Sequence, residues 1–292
     1  MVEKNRGFQI FAHTVMILLT LFCLLPFLLL IVSSVTSETS LIRTGYSFFP
    51  EELSLDAYRY LLVDSTAITR GYLISAVVTA SGTLLNLFLT VMLAYPLSRK
   101  DLPKRNLFAF FLFFTMLFNG GLVPTYIMWT QSFHIKNTIF ALLVPGLLLN
   151  VFNVIMMRTY ISANIPDAVI EAARIDGAGE FRLLLQIVIP MSLPIVATLA
   201  LLAGLAYWND WLNGLYYITD DRLFSIQVIL NRMLAKTEML KKAATSGVSM
   251  GPMPEVGIRM AVAVLGALPV LATYPFFQRY FVKGIAIGAV KG

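Results

Sequence analysis

Residues 171–194 read EAARIDGAGEFRLLLQIVIPMSLP, a charged, glycine-containing stretch between two long apolar runs. Pro166 and Asp167 precede it and suit the first turn of a helix, because proline has no amide hydrogen to leave unpaired and an acid favours the positive end of the helix dipole. Gly177 can take the left-handed conformation that ends this helix, and Asp176 can cap the next one. The pattern predicts a helix–turn–helix at a membrane surface. Composition alone fits an ordinary interfacial loop helix equally well.

Three groups of residues in this stretch resemble the EAA loop of ABC-importer permeases. They are Glu171-Ala172-Ala173, Asp176-Gly177-Ala178, and Ile187 with Pro190 and Pro194. In that family the loop is the cytoplasmic coupling helix, which docks in a cleft of the ATPase subunit. The resemblance implies that Glu171 makes a polar contact to the ATPase, that the alanines allow close packing and that Gly177 forms the turn. The sequence departs from the family at Leu184, where many members carry phenylalanine.

The composition is that of a membrane protein. Of the 292 residues, 58% are hydrophobic and 13% are charged, and the mean hydropathy is +0.78; about a quarter of a soluble domain is charged. The formal net charge of +6 would suggest nucleic acid in a soluble chain, but basic cytoplasmic loops beside anionic lipid account for it here. Cys23 is the only cysteine, so the chain can form no internal disulfide. We predict an all-α polytopic membrane protein that contacts lipid and binds no nucleic acid.

Six apolar segments are long enough to cross a bilayer, which takes roughly 20 residues of helix. They lie at about 10–35, 71–97, 107–129, 138–157, 185–208 and 257–277. Arg99, Lys100, Lys104 and Arg105 crowd the link between the second and third segments, whereas the next link carries only Lys136. The positive-inside bias then places both termini and residues 159–186 in the cytoplasm, and the long loops 36–70 and 209–256 outside.

The end of the chain carries a second resemblance. Its glycine-rich sequence, with Gly284, Gly288 and Gly292, resembles the tail of the second permease subunit in maltose-type sugar importers, where the tail reaches into the ATPase dimer. Residues 119–125, NGGLVPT, resemble a subgroup that handles oligo- and polysaccharides and includes alginate importers. These resemblances imply a type I ABC-importer permease fold. We divide the chain into a first span with its outer loop (1–70), a permease core (71–281) and a cytoplasmic tail (282–292).

Polar residues inside the apolar segments are candidates for lining a solute path. Those of the second segment recur at three- and four-residue steps and share one helix face, for which close helix packing is the favoured interpretation; they are Ser75, Thr79, Gly82, Thr83, Asn86 and Thr90. Asn119-Gly120-Gly121 and Pro145-Gly146 interrupt the third and fourth segments, and such breaks must be buried in protein or face a cavity. The candidate pathway residues are Asn86, Asn119, Asn150 and Asn153. Asn150 and Asn153 suit hydrogen bonds either to sugar hydroxyls or to neighbouring helices.

Four aromatic residues mark the start of the second outer loop: Trp208, Trp211, Tyr216 and Tyr217. An interfacial aromatic belt is the simpler interpretation of this cluster. The family resemblance favours docking instead, because in maltose-type members this loop meets the solute-binding protein. We therefore expect these four side chains to form a docking surface.

The segments lack the groups that other transport mechanisms need. Between their ends the only charged residue is Arg259, at the outer edge of the sixth, and proton-driven carriers generally need ionisable relays in the membrane. His13 and His134 form no metal-ligand pattern. No Gly-Lys dipeptide occurs, so the phosphate-binding loop of an ATPase is missing. We predict a chain that is not an enzyme and binds no metal or cofactor of its own.

The resemblance implies a permease subunit in the inner membrane of a bacterium. It would pair with a homologous second permease, with a dimer of ABC ATPases that binds the ATP and Mg, and with an extracytoplasmic solute-binding protein. Its substrate would be an oligosaccharide, such as a fragment of alginate or of another polysaccharide. The alternative is a secondary sugar or ion-coupled carrier that works without an ATPase. A membrane enzyme or receptor ranks lower still, because no reactive constellation is evident.

Overall fold

The computed structural model describes residues 6–63, 65–118, 120–245 and 255–289. These ranges are predominantly helical, and the one extended pairing within them is an isolated antiparallel bridge between Thr36 and Leu53. The helices are α1 (Arg6–Ser34), α2 (Glu38–Thr44), α3 (Asp56–Leu62), α4 (Ser65–Ser98), α5 (Arg105–Leu117), α6 (Leu122–Ile127), α7 (Phe140–Leu143), α8 (Val151–Asn164), α9 (Asp167–Ile175), α10 (Glu180–Leu183), α11 (Ile189–Met191), α12 (Leu193–Trp208), α13 (Leu212–Tyr217), α14 (Ile226–Thr245) and α15 (Glu255–Ala289). Two π-helical turns, Met128–Ser132 and Leu184–Val188, follow α6 and α10, and a 3-10 turn, Asp221–Leu223, precedes α14.

Four helical stretches among the described residues are long and apolar enough to cross a membrane: Arg6–Ser34, Thr66–Ser98, Leu193–Tyr217 and Val256–Thr273. A fifth span arises if Arg105–Leu117 and Leu122–Ser132, which meet at 109°, are counted together. The predicted fourth segment is not one helix, because α7 ends at Leu143 and α8 begins only at Val151. The helical membrane class is therefore confirmed, and the number of six spans stays a prediction.

The chain forms two compact units. One comprises Met1–Ile68 with Leu230–Pro269, and the other comprises Thr69–Ile229 with Val270–Gly292. In the first unit, the two carboxylate oxygens of Glu38 accept hydrogen bonds from the amides of Val256 and Gly257, each at 3.0 Å. These amides lie in the first turn of α15, where no intrahelical acceptor exists, so Glu38 satisfies donors that the helix itself leaves unpaired.

The core of the second unit draws on α4, α8, α9, α10 and α12. Its fully enclosed side chains interlock helices that are far apart in sequence; they include Ala94, Met157, Ile170, Leu183, Val188 and Leu199. Small residues allow the closest approach: a Cβ at Gly82 on α4 would lie 2.5 Å from the ring of Tyr207 on α12. The packing interpretation of the small polar face on α4 is confirmed at this position.

Candidate functional site

The predicted coupling helix is α9, and local chemistry sets both of its ends. Asp167 lies in its first turn and Arg174 in its last turn, and each charge opposes the nearer end of the helix dipole. Gly177 has φ of +80°. Its amide donates to the carbonyl of Arg174 at 3.0 Å, and the amide of Ala178 donates to the carbonyl of Ala173 at 2.9 Å. This pair of bonds is the Schellman motif, so the predicted glycine turn is confirmed.

The predicted capping role of Asp176 is wrong. Asp176 is the C-terminal cap of α9, and the next helix begins at Glu180 after Gly179, with no side chain bonded to its first amides. Ala178 and Gly179 separate Asp176 from that helix. A side chain as short as aspartate caps only the amides two or three residues further along, which are not helical here.

The two faces of α9 have opposite characters. Ile170 is buried and packs with Ala173 against the core of the second unit. Glu171, Ala172 and Ile175 face outward, and Ile175 is 86% exposed. The carboxylate of Glu171 makes no hydrogen bond or ion pair with any residue that the structure describes. α9 therefore presents an apolar side chain and an unpaired carboxylate on the side away from its own core.

The N-terminal end of α9 is bound to the link between α4 and α5. Lys100 in that link donates to the carboxylate of Asp167 at 2.8 Å. The neighbouring Arg99, whose side chain is only 12% exposed, lies 4.0 Å from the same carboxylate. Arg99 Nε also lies 3.3 Å from a carboxylate oxygen of Asp101, as an ion pair without hydrogen-bond geometry.

The C-terminal end of α9 is bound to the same link. Arg174 donates through Nη1 to Asp101 at 2.8 Å and through Nη2 to Glu180 at 2.6 Å. The hydroxyl of Tyr95, near the end of α4, donates to the second carboxylate oxygen of Glu180 at 2.6 Å. We call this network the clamp; it consists of Tyr95, Arg99, Lys100, Asp101, Asp167, Arg174 and Glu180.

The clamp shifts the titration of its charged members. Hydrogen bonds from Lys100, Arg174 and Tyr95 lower the pKa values of Asp167, Asp101 and Glu180, respectively. The bonds to Asp101 and Glu180 raise the pKa of Arg174. Each of these four shifts favours the charged form, so Asp101, Asp167, Arg174 and Glu180 carry their charges near neutral pH.

These contacts bear on topology. The link at 99–105 and the loop at 159–186 touch through the clamp, so they lie on one side of the second unit. Separately, the side chain of Asn137, in the link after α6, donates to Thr219 Oγ1 at 2.8 Å and accepts from the amide of Thr219 at 2.6 Å. The predicted topology places the partners of each pair on a common side, and both contacts agree with it.

A cavity of about 360 Å³ lies beside the clamp. Apolar side chains form much of its wall, among them Met92, Leu102, Phe181 and Leu184. Leu184 is 5% exposed and stands where the resembled family often has phenylalanine. Leu184 therefore lines a space that also borders the clamp residues Arg174 and Glu180.

The break in the fourth apolar segment is held by side chains from other helices. Gly146 has φ of +71°, and four backbone carbonyls between Leu143 and Leu148 accept hydrogen bonds from side chains of other helices. Tyr207 donates to the carbonyl of Leu143 at 2.8 Å, and Asn213 to that of Pro145 at 2.9 Å. Asn86 donates to the carbonyls of Leu147 and Leu148 at 2.8 and 3.2 Å. Side chains of other helices thus satisfy these carbonyls, each of which would cost several kcal/mol if left unpaired in lipid. Gly146 itself is exposed, and whether the break is buried in protein or faces a cavity stays a prediction.

The predicted pathway residues do not form one group. Asn86 is 2% exposed and is used in holding the break. Asn150 is exposed and caps α8, accepting from the amide of Phe152 at 2.9 Å. Asn153 is buried. Asn119 lies outside the described residues, and a role for any of the four in a solute path stays a prediction.

The four outer aromatics separate into two pairs. Trp208 is 8% and Tyr217 4% exposed, and they stack on Tyr72 and Tyr126 at ring distances of 6.2 and 5.7 Å. Both side chains therefore belong to internal packing and offer no docking surface. Trp211 and Tyr216 are exposed, and docking by these two stays a prediction.

Sequence reasoning missed the clamp and the outward Ile175. Arg99 and Lys100 served only to predict the topology, and Asp101 was not considered. Opposite charges on two loops assigned to one side of the membrane were nevertheless a usable signal. For Ile175 the signal was a large apolar residue one helical turn after Glu171, on the same helix face.

Known proteins resemble this chain over nearly its whole length. The model of the family described as binding-protein-dependent transport system inner membrane component matches residues 4–287. The polygalacturonan/rhamnogalacturonan transport system permease protein YtcP of Bacillus subtilis (strain 168) is 36% identical over 289 residues, covering 99% of this chain and all of the relative. Protein LplC of the same organism is 37% identical over 271 residues, covering 92% of this chain and 90% of the relative. A solved chain from a bacterial ABC transporter involved in the import of the acidic polysaccharide alginate is 27% identical, covers 96% of this chain and 100% of its own length, and has a TM-score of 0.79.

Proposed function

The chain belongs to the family of binding-protein-dependent transport system inner membrane components, and on that premise we propose that it is one of two permeases of an ATP-driven importer of acidic oligosaccharides. The observation that carries the proposal is the outward face of α9. Glu171 and Ile175 stand exposed on a short helix whose opposite face is buried and whose ends are both clamped. Such a face suits a polar and apolar contact with a second protein.

We propose a coupling step that this geometry supports. α9 would sit in a cleft of the ATPase, with Glu171 making the polar contact and Ala172 allowing close approach. Closure of the ATPase dimer on ATP would move α9. The helices joined through Gly177 and Pro190 would then rotate as a body and change which side of the pathway is open. ATP and Mg would be bound by the ATPase, and this chain would contribute no catalytic residue.

The substrate class is inferred from the relatives. Polygalacturonan, rhamnogalacturonan and alginate are all polymers rich in sugar acids, and the proteins named for them cover nearly the whole chain. We infer that a solute-binding protein delivers an acidic oligosaccharide to the outer surface, where Trp211 and Tyr216 are exposed for docking. A secondary carrier is not favoured, because the apolar segments lack ionisable relays.

The test begins with purification of the tagged chain from its native membrane and mass spectrometry of the proteins that accompany it. We expect an ATPase and a second, homologous permease. A co-purifying solute-binding protein would then be titrated with oligogalacturonate, oligoalginate and neutral oligosaccharides of equal length. Preference for the neutral sugars would overturn the substrate class alone. A chain that purifies by itself and moves solute without ATP would overturn the importer function.

A further inference from the structure

The clamp joins α9 to a part of the chain that does not adjoin α9 in the sequence. Along the chain, α9 is continuous with α8 and α10. Its charged ends nevertheless bind the link after α4, through Lys100 to Asp167 and through Asp101 to Arg174. Ion pairs therefore connect α9 to the end of α4, in addition to any connection that the backbone supplies.

Two attachment points restrict the orientation of α9 more than a single one would. Asp167 and Arg174 are seven positions apart, which is roughly 10 Å along a helix. A helix held at one end can pivot, whereas a helix held at both ends by the same link keeps its direction relative to that link. Glu180 adds a third point on α10, because it accepts from Arg174 and from Tyr95 on α4.

The end of α4 is itself firmly attached. The last carbonyls of a helix have no intrahelical donors. In α4, Arg158 Nε donates to the carbonyl of Leu97 at 3.0 Å, and Ser162 donates to that of Ser98 at 3.3 Å. Both donors lie on α8, so the ends of α4 and α8 and the clamped α9 form one connected body.

We propose that the clamp is a positioning device that carries the ATPase-driven motion of α9 into α4. The inference rests on the proposed coupling role of α9. Most clamp carboxylates and basic groups are substantially exposed, and exposed ion pairs contribute little to folding stability. Loss of a clamp contact should therefore leave the protein folded and assembled while motion of α9 no longer reaches α4.

The experiment uses the complete importer in liposomes, with its second permease, ATPase and binding protein. Uptake and ATP hydrolysis are measured together, and the readout is solute moved per ATP hydrolysed. The variants Lys100→Ala and Arg174→Ala should lower this ratio about fivefold or more, the lower range for coupling between linked sites. Lys104→Ala is the matched control, because it removes the same charge from the same link, and Lys104 pairs with no described residue through its side chain.

Rescue separates positioning from a general structural effect. In a Cys23→Ser background, Lys100→Cys with Asp167→Cys removes the first ion pair and should lower the ratio in the same way. A short bis-maleimide linker between the two thiols should restore it, while a monofunctional maleimide should not. Recovery only with the linker supports a mechanical connection.

The outcomes distinguish this inference from the importer function. If the unaltered importer couples ATP hydrolysis to uptake and the Lys100 and Arg174 variants match it, the clamp inference is wrong and the importer function stands. The same holds if the linked cysteine pair stays as poorly coupled as the unlinked one. If the unaltered chain shows no ATP-dependent uptake with its partners, the importer function is wrong and the inference fails with it.

Discussion

Replacement of Gly82 by alanine tests the contact between α4 and α12. The new Cβ would lie 2.5 Å from two ring atoms of Tyr207 and 2.7 Å from a third. The ring is 4% exposed, and its hydroxyl holds the carbonyl of Leu143 at 2.8 Å. The ring cannot move aside without losing that bond in a buried site.

The magnitude follows from these two effects. Overpacking a tight core costs about 1–3 kcal/mol, and leaving a buried acceptor unpaired costs about 1–3 kcal/mol. Alanine regains roughly 0.5–1 kcal/mol over glycine in a helix. Together these terms lead us to expect that Gly82→Ala lowers the free energy of unfolding by about 1–5 kcal/mol. The assay is the thermal unfolding midpoint of the purified protein in detergent.

The control is Gly204→Ala, on the opposite helix. Its Cβ would meet Thr83 Oγ1 at 3.5 Å and a methyl group of Thr79 at 4.0 Å, which are ordinary contacts. This variant should unfold at the same temperature as the original protein or slightly higher. Adding Tyr207→Leu to Gly82→Ala should cost less than the two changes separately predict, because the clash is gone. An equal loss in both glycine variants, or full additivity in the double variant, would refute the steric argument.

Four further predictions concern the broken segment and the coupling helix. Asn86→Leu removes the donor to the carbonyls of Leu147 and Leu148. It should destabilise the protein by about 1–3 kcal/mol and speed amide hydrogen exchange in residues 144–150. Unchanged exchange in these residues would contradict this prediction. At Gly177 the backbone is left-handed, but a Cβ would meet no atom within 4 Å. Gly177→Ala should therefore lower the free energy of unfolding by about 1–2 kcal/mol, Gly177→Val by more and Gly177→Asn by least. Equal unfolding temperatures for the valine and asparagine variants would contradict this order. The carboxylates of Asp101, Asp167 and Glu180 have lowered pKa values in the folded protein. The stability that they contribute is therefore fully present above the ordinary carboxyl pKa of about 4 and is lost as the pH falls through the lower folded values. Protection of the α9 amides from hydrogen exchange, corrected for intrinsic exchange rates, should be constant near neutral pH and fall only in acid, and a loss near neutral pH would contradict the clamp chemistry. Leu184→Phe should raise the unfolding temperature, because the larger ring would fill part of the adjoining cavity. Leu184→Ala should instead lower the free energy of unfolding by about 2–5 kcal/mol. A phenylalanine variant that is less stable than the original protein would show that the cavity cannot accept the ring.

Features that depend only on residues close together in the sequence were predictable from it. The apolar segments require helices in a membrane, because backbone groups must be satisfied within the chain there. The turn at Gly177 was predictable because a left-handed residue after a short helix favours glycine. The break at Pro145-Gly146 was predictable for a similar local reason, although its extent to Val151 was not.

Tertiary structure alone decided which polar and aromatic side chains remain available to partners. The long-range hydrogen bonds of the clamp join residues 67 to 85 positions apart, and no local pattern specifies such a pairing. Trp208 and Tyr217 looked equivalent to Trp211 and Tyr216, but the rings of Tyr72 and Tyr126 cover the first two. The side-chain amide of Asn86 donates to two carbonyls of the break, 61 and 62 positions away, partners that no local pattern indicates. A sequence specifies which groups need partners, whereas packing between helices determines which partners they find.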